Sequence, residues 1–148
     1  MITPIEEKDL PILQAITKTT IHECVVPSKE QAEPLLDEIN DILDKWLPSR
    51  EQSFHAKYHI AGQTVGYIVV KDFWNLCLLF VLPAFQRRGI GRALVQLALD
   101  ECRSKSPRPK IQLNSSTHAA DFYTAIGFTQ SAPALDRPGG CIPFTYDF

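Results

Sequence analysis

The chain has 148 residues, 45% of them apolar and 22% charged, which suits one packed core and is too short for two ordinary domains. Its net charge of −2 gives no global field for nucleic acid or an anionic membrane, so an anion must be held by a local site. Cys24, Cys77, Cys102 and Cys141 lie far apart, with no C-x-x-C pair and no histidine at metal-ligand spacing, which predicts reduced thiols and no metal. The acidic start lacks a signal-like apolar run, and nothing approaches the roughly 18 apolar residues of a membrane span, so a cytoplasmic protein is expected.

Residues 1–4 read as a short extended start. Leu10, Leu13, Ile16 and Thr20 then recur at helical spacing, predicting a helix from Asp9, its cap, to about His22. Ser28 and Gln31 make a capping-box pattern ahead of Ala32, Leu35, Leu36, Ile39, Leu43 and Trp46, a second helix that Pro34 should kink or delay. Residues 53–60, 64–70 and 74–81 read as strands of an antiparallel meander, since their connections are short. Residues 76–82 are apolar throughout, which predicts a central strand covered on both faces. A helix over residues 91–104 follows, with apolar stripes on two sides, and Pro107 and Pro109 end it. Joining residues 110–113 to the central strand through that helix is a crossover, so those two strands are parallel and the sheet is mixed. Ala119, Phe122, Tyr123 and Ile126 mark a further helix, capped by Ser116 or Thr117 and ended by Gly127. Residues 128–132 and 142–148 can close the sheet around the turn-rich stretch 133–140.

The segment Gln86-Arg87-Arg88-Gly89-Ile90-Gly91, between the central strand and a helix, is built for an anion. Glycines allow positive φ and close approach, so successive N–H groups can face one concavity. The helix N-terminus adds roughly half a positive charge, and Arg87, Arg88 and Arg92 add full ones. A Walker A loop would end in Gly-Lys-Ser/Thr, whereas Arg92 follows Gly91 here. A dinucleotide fold wants a small residue at Leu94 and an acid on the next strand, and residues 110–113 hold none. Taken alone, the two glycines are explained as well by a tight turn into a helix.

The same loop resembles the Q/R-x-x-G-x-G/A signature of the GNAT N-acetyltransferase superfamily, matching at every fixed position. Downstream, Ala119, Phe122, Tyr123, Gly127 and Phe128 resemble that family's N-x-x-A-x-x-F-Y-x-x-x-G-F segment, with Ser116 where the family has asparagine. The two motifs span residues 74–128. The resemblance implies an α/β (α+β) fold: a mixed, mainly antiparallel sheet of about six to seven strands with about four helices. Its central parallel strands would part beyond Val81 to hold acetyl-CoA as acyl donor. It further implies that the backbone at Phe80 and Val81 pairs with the pantetheine arm and that the amides of residues 86–91 bind the pyrophosphate. Asn114 or the Ser116 hydroxyl would replace the family's asparagine.

Acyl transfer from a thioester needs a neutral amine, a stabilised oxyanion and a proton for the departing thiolate. By resemblance, a backbone N–H near Val81 meets the oxyanion of a tetrahedral intermediate, and the Tyr123 phenol is the acid. By spacing alone, Tyr123 reads as a core aromatic. His22, Glu23, His55 and His59 are the candidates for a base, while His118 reads as structural at a helix start. The acceptor, a small-molecule or protein amine, is expected between the first two helices, residues 46–53 and residues 132–142. Trp46, Trp74, Asp136 and Arg137 are candidates to line its site. A homodimer is compatible with this reading, and the competing functions are an acyl-CoA sensor and a nucleotide-binding module.

Overall fold

The structure is a computed structural model that describes residues 1–26 and 28–148. Strands β1 (Ile2–Thr3), β2 (Ser53–Ile60), β3 (Gln63–Lys71), β4 (Asn75–Val81), β5 (Lys110–Ser115), β6 (Thr129–Gln130) and β7 (Ile142–Asp147) form a 7-stranded sheet. Their order is β1-β2-β3-β4-β5-β7-β6, with every pair antiparallel except β4 and β5. Helices α1 (Leu10–Thr20) and α2 (Lys29–Trp46) pack on one face, and α3 (Ile90–Lys105) and α4 (Ala120–Ala125) on the other. This is the mixed, mainly antiparallel architecture that the strand and crossover pattern implies.

Strand β3 shows why two layers form. Ile68 and Val70 pack into the α3 side while Tyr67 and Val69 pack into the α1–α2 side, the alternation of a pleated strand. Leu13, Ile16 and Leu43 are fully buried on α1 and α2, each contributing about 1.5–3 kcal/mol by burial. Packing therefore outweighs capping, since the Ser28 hydroxyl makes no cap bond and α2 starts on the backbone bond from Ala32 to the Ser28 carbonyl.

Several expectations change. Asp9 stands at the N-cap position of α1 but its side chain makes no cap bond to that helix: it ends a 3-10 turn, Glu7–Asp9, where its carboxylate accepts from the Glu6 N–H at 2.7 Å and from Lys57 Nζ at 2.8 Å. Helix α1 stops at Thr20 and continues as a wider π turn, Ile21–Val25. Pro34 sits inside α2 without delaying its start. Strand β5 runs to Ser115, two residues beyond the apolar stretch, because its edge pairs with β7 as far as Ser115 opposite Ile142. Strand β6 is shorter than residues 128–132, and Phe128 goes into the core instead.

The largest change concerns β4. It is central in the sheet and covered on both faces, with Leu76 and Val81 buried on the α3 side and Leu78 on the α1–α2 side, but its burial is less complete than that of β3, whose residues from Val65 to Val70 are all buried. Cys77, Leu79 and Phe80 of β4 are only half-buried. The cause lies in pairing: β4 and β5 share a single register position, Asn75 opposite Gln112, and part beyond it. The parting thus begins at the start of β4, well before Val81. Cys77 is an extra residue between the Leu78–Val69 and Leu76–Val70 pairs, a bulge that bends the strand where the gap opens.

Candidate active site

The gap between β4 and β5 continues into a cavity of about 580 Å³ that passes through the sheet. Leu76, Cys77, Leu79 and Phe80 line it from β4, Asn114, Ser115 and Ser116 from β5 and its end, and Tyr123 from α4. Helix α2 forms the opposite wall, and the π turn contributes Ile21 and Val25. The wide turn brings these two residues to the cavity, a use typical of π turns near functional sites.

The backbone of β4 is directed by its register. The Leu82 N–H donates to the Val65 carbonyl at 2.8 Å, so Leu82 and Phe80 turn their backbone groups toward β3. Alternation then turns the backbone of Leu79 and Val81 toward the gap. Of the two backbone positions read as ligand-facing, Val81 is turned toward the gap and Phe80 toward β3; Phe80 offers its side chain to the cavity. The Val81 carbonyl accepts from Gln86 Nε2 at 2.9 Å and from Thr20 Oγ1 at 3.4 Å, leaving its N–H as the outward donor.

Loop 86–91 is anchored at both ends. The Gln86 amide closes onto Val81 and also approaches His118 Nε2 at 3.4 Å, so this side chain fixes the loop. Ile90 at the other end is buried in the α3 core. Between them Arg87 has φ +62 and Gly89 φ +83. Positive φ at arginine is uncommon and strained, and it turns the intervening amides toward one side. No atom lies within 4 Å of the position a Gly89 Cβ would take, so that side is open. Gly91 is helical and serves packing: a Cβ there would stand 3.3 Å from the Phe122 ring. The first N–H groups of α3 have no helical partner. Arg87, Arg88 and Arg92 are exposed beside them, with the Arg88 guanidinium over the Phe85 ring at 5.1 Å.

Tyr123 is 6% exposed, with Phe122, Phe128 and Phe144 around its ring at centroid distances of 5.1, 5.6 and 6.1 Å. Its phenol has no hydrogen-bond partner among the described residues and lies on the cavity wall. Burial pushes its pKa above the ordinary phenol value, so it stays protonated and has a proton to donate at neutral pH. Asn114 is exposed on the cavity, and Ser116 lines it while its Oγ accepts from the Ala119 N–H at 3.2 Å. The Ser116 hydroxyl therefore caps the turn into α4 and keeps its own proton free.

The residues read as candidate bases are not brought together here. His22 lies in a separate depression with Lys18, Lys29 and Asn40. Glu23 is exposed outside the cavity. His55 accepts from the Ile5 N–H at 3.0 Å, and burial together with Arg50 lowers its pKa, so it is a neutral structural acceptor. His59 stands 3.3 Å from Thr3 at the β1 edge. Trp46 is a core residue donating to Ser53 Oγ at 3.0 Å, and Trp74 stacks under Arg108 at 3.6 Å. Arg137 lines the cavity and Asp136 does not. The cavity carboxylates are Glu30 and Glu38 of α2. Their helical stripe was read from the sequence only for its apolar members.

These features suit an elongated acyl carrier with an anionic end: a gap with an unpaired strand edge, leading to an open, arginine-flanked helix N-terminus. A family model described as an Acetyltransferase (GNAT) domain matches residues 21–143. An uncharacterized N-acetyltransferase of Bacillus velezensis is 34% identical over 60% of this chain and 52% of its own length. The chain thus spans about half the length of the curated relatives it matches. Among solved structures, a GCN5-related N-acetyltransferase from Rhodopseudomonas palustris has a TM-score of 0.85 at 17% identity, covering 100% of this chain and 95% of that one. The PaiA N-acetyltransferase of Thermoplasma acidophilum, in complex with coenzyme A, has a TM-score of 0.82 at 17% identity, covering 100% and 98%. At those identities the likeness concerns the fold.

Proposed function

Because the chain belongs to the GNAT acetyltransferase family, we propose that it transfers an acetyl group from acetyl-CoA to a primary amine of a small molecule or protein. The observation that carries this reading is the parted β4–β5 pair, held at Asn75 opposite Gln112 and open beyond it, with the unpartnered Tyr123 phenol on the wall of the gap. When bound, the thioester supplies an electrophilic carbonyl and a thiolate leaving group. The Val81 N–H, directed into the gap, is placed to donate to the carbonyl oxygen as charge develops there. The Tyr123 O–H, kept protonated by burial, donates to the departing sulfur. Gln86 holds the Val81 carbonyl and so fixes the strand end on which the first of these depends. The amides of Gly89, Ile90 and Gly91 with Arg87, Arg88 and Arg92 bind the pyrophosphate, and Asn114 and Ser116 flank the pantetheine arm.

An acceptor with a pKa of about 7.7–8.0 can lose its proton to water, whereas one near 10.4 needs an acceptor in the cavity. Glu30 and Glu38 are the carboxylates available for that. A cytoplasmic setting is supported by four free thiols. No helix among the described residues is long and apolar enough to cross a membrane. The test is calorimetry with CoA and acetyl-CoA, followed by amine-dependent thiol release. Binding of both with release is expected. Failure to bind either overturns the donor site, and binding without release turns the reading toward an acyl-CoA-binding module.

A further inference from the structure

Resting on the acyltransferase reading, we propose that His118 is a positioning residue: it ties the turn before α4 to Gln86 across the open end of the β4–β5 gap, and so holds Val81 in place relative to Tyr123. Within the sheet the two strands are joined at Asn75 opposite Gln112 alone. Val81 ends β4 on one side of the gap, and Tyr123 belongs to α4, which follows β5 on the other. Among the described residues, one side-chain hydrogen bond crosses the gap beyond Asn75, that between His118 Nε2 and Gln86 Oε1 at 3.4 Å.

Chemistry fixes the direction of that bond. The Val81 carbonyl can only accept, so Gln86 presents Nε2 to it, at 2.9 Å, and is left with Oε1 as an acceptor. His118 Nε2 therefore carries the proton and donates. The other donor near Oε1 is the Cys24 thiol, which stands farther off, at 4.0 Å. His118 is exposed, but its backbone is pinned on either side: the Thr117 N–H donates to the Gly139 carbonyl at 2.9 Å, and the Ala119 N–H to Ser116 Oγ at 3.2 Å. The ring is thus carried by a fixed turn. Neither His118 nor Gln86 lines the cavity, so the pair acts on the site through Val81 and not by touching an acceptor.

The test is a double-mutant cycle on His118→Ala and Gln86→Ala, followed in urea unfolding and in kcat for amine-dependent thiol release. In unfolding, the two residues are expected to be coupled by about threefold to tenfold in the equilibrium constant, the range for one hydrogen bond. In turnover, His118→Ala should lower kcat by about threefold to tenfold and leave the dissociation constant for CoA within about twofold. It should have no further effect once Gln86 is alanine. His118→Gln should restore kcat, because its amide nitrogen reaches the place of Nε2, whereas the shorter amide of His118→Asn ends near the place of Nδ1 and should not. Independence of the two residues in unfolding overturns the proposal. A loss of turnover that persists in the Gln86→Ala background also overturns it, by making His118 a contact of substrate or cofactor. So does a loss confined to CoA affinity, or equal behaviour of the His118→Gln and His118→Asn variants. The unfolding cycle needs no turnover, so absence of thiol release counts against the acyltransferase reading while the coupling still decides whether His118 and Gln86 are tied.

Discussion

Tyr123 combines two properties that usually exclude each other, a ring enclosed by Phe122, Phe128 and Phe144 and a polar group with no protein partner. The phenol oxygen reaches the cavity, where water or a ligand can take its hydrogen bond, which is the physical reason to place a reacting atom there. Tyr123→Phe keeps the ring packing and removes only the donor. Its kcat should fall by about 10²-fold or more while the dissociation constant for CoA changes little. Burial raises the phenol pKa, so the protonated form persists above about 10 and is lost only as pH rises beyond that. The pH profiles of wild type and variant should accordingly run parallel from about pH 7 to 10. An alkaline limb in that range present in wild type and missing in the variant would contradict the assignment, as would equal turnover.

At the scale of elements, the loop before β7 owes its position to two adjacent glycines. Gly139 and Gly140 have φ +79 and +87, and the Gly139 carbonyl accepts from the Thr117 N–H at 2.9 Å. This bond ties the loop, with Arg137 and Cys141, to the turn before α4. A Cβ on Gly140 would press on Thr117 Oγ1 and stand 2.9 Å from the Thr117 backbone nitrogen, which cannot move without disturbing α4. Gly62 has a similar φ of +82 and nothing within 4 Å of its missing Cβ, so it isolates the backbone term. Gly62→Ala should cost about 1 kcal/mol in urea unfolding and Gly140→Ala about 2–3 kcal/mol. Equal losses would show that the loop is not wedged against Thr117. The Gly139–Gly140 pair was not legible as anything but turn residues, because its contact with Thr117 joins segments far apart in sequence. The strands, α3 and the parallel pairing were legible, since apolar periodicity and the crossover depend on local pattern and chain geometry. The same pattern gave the two-sided cover of β4 but not where the strand parts from β5, because a strand edge facing a gap is as apolar as one facing a partner. Asp9 misled for a related reason, because a 3-10 turn and an ion pair with Lys57 claimed a side chain that local pattern assigns to a cap. Within the candidate site, the loop and Tyr123 followed from short motifs. Glu30 and Glu38 did not, since an exposed glutamate on an amphipathic helix reads the same whether it meets solvent or a cavity.

For the whole molecule, the parted strands divide the sheet into two halves, β1 to β4 and β5 with β7 and β6. Within the sheet they meet only near Asn75 and Gln112, where the Gln112 N–H reaches the Trp74 carbonyl at 2.8 Å. The core around α3 bridges them, since Leu76 and Val81 of one half and Ile111 and Leu113 of the other pack in one cluster with Leu94, Val95 and Ala98. A ligand lying in the gap thus takes the place of missing strand pairing and should stabilise the molecule as a unit. At a CoA concentration about 100 times its dissociation constant, linkage predicts about 2.7 kcal/mol of added stability. That gain alone would not locate the ligand, but the register of β4 can. The Leu79 and Val81 N–H groups face the gap, whereas the backbone groups of Phe80 already face β3. Amide exchange with and without CoA should therefore slow at Val81 and Leu79 beyond the global gain, with Phe80 following the global gain only. Equal slowing at all three would mean that CoA tightens the fold without lying along β4, and the parted pair would lose its role as the donor site.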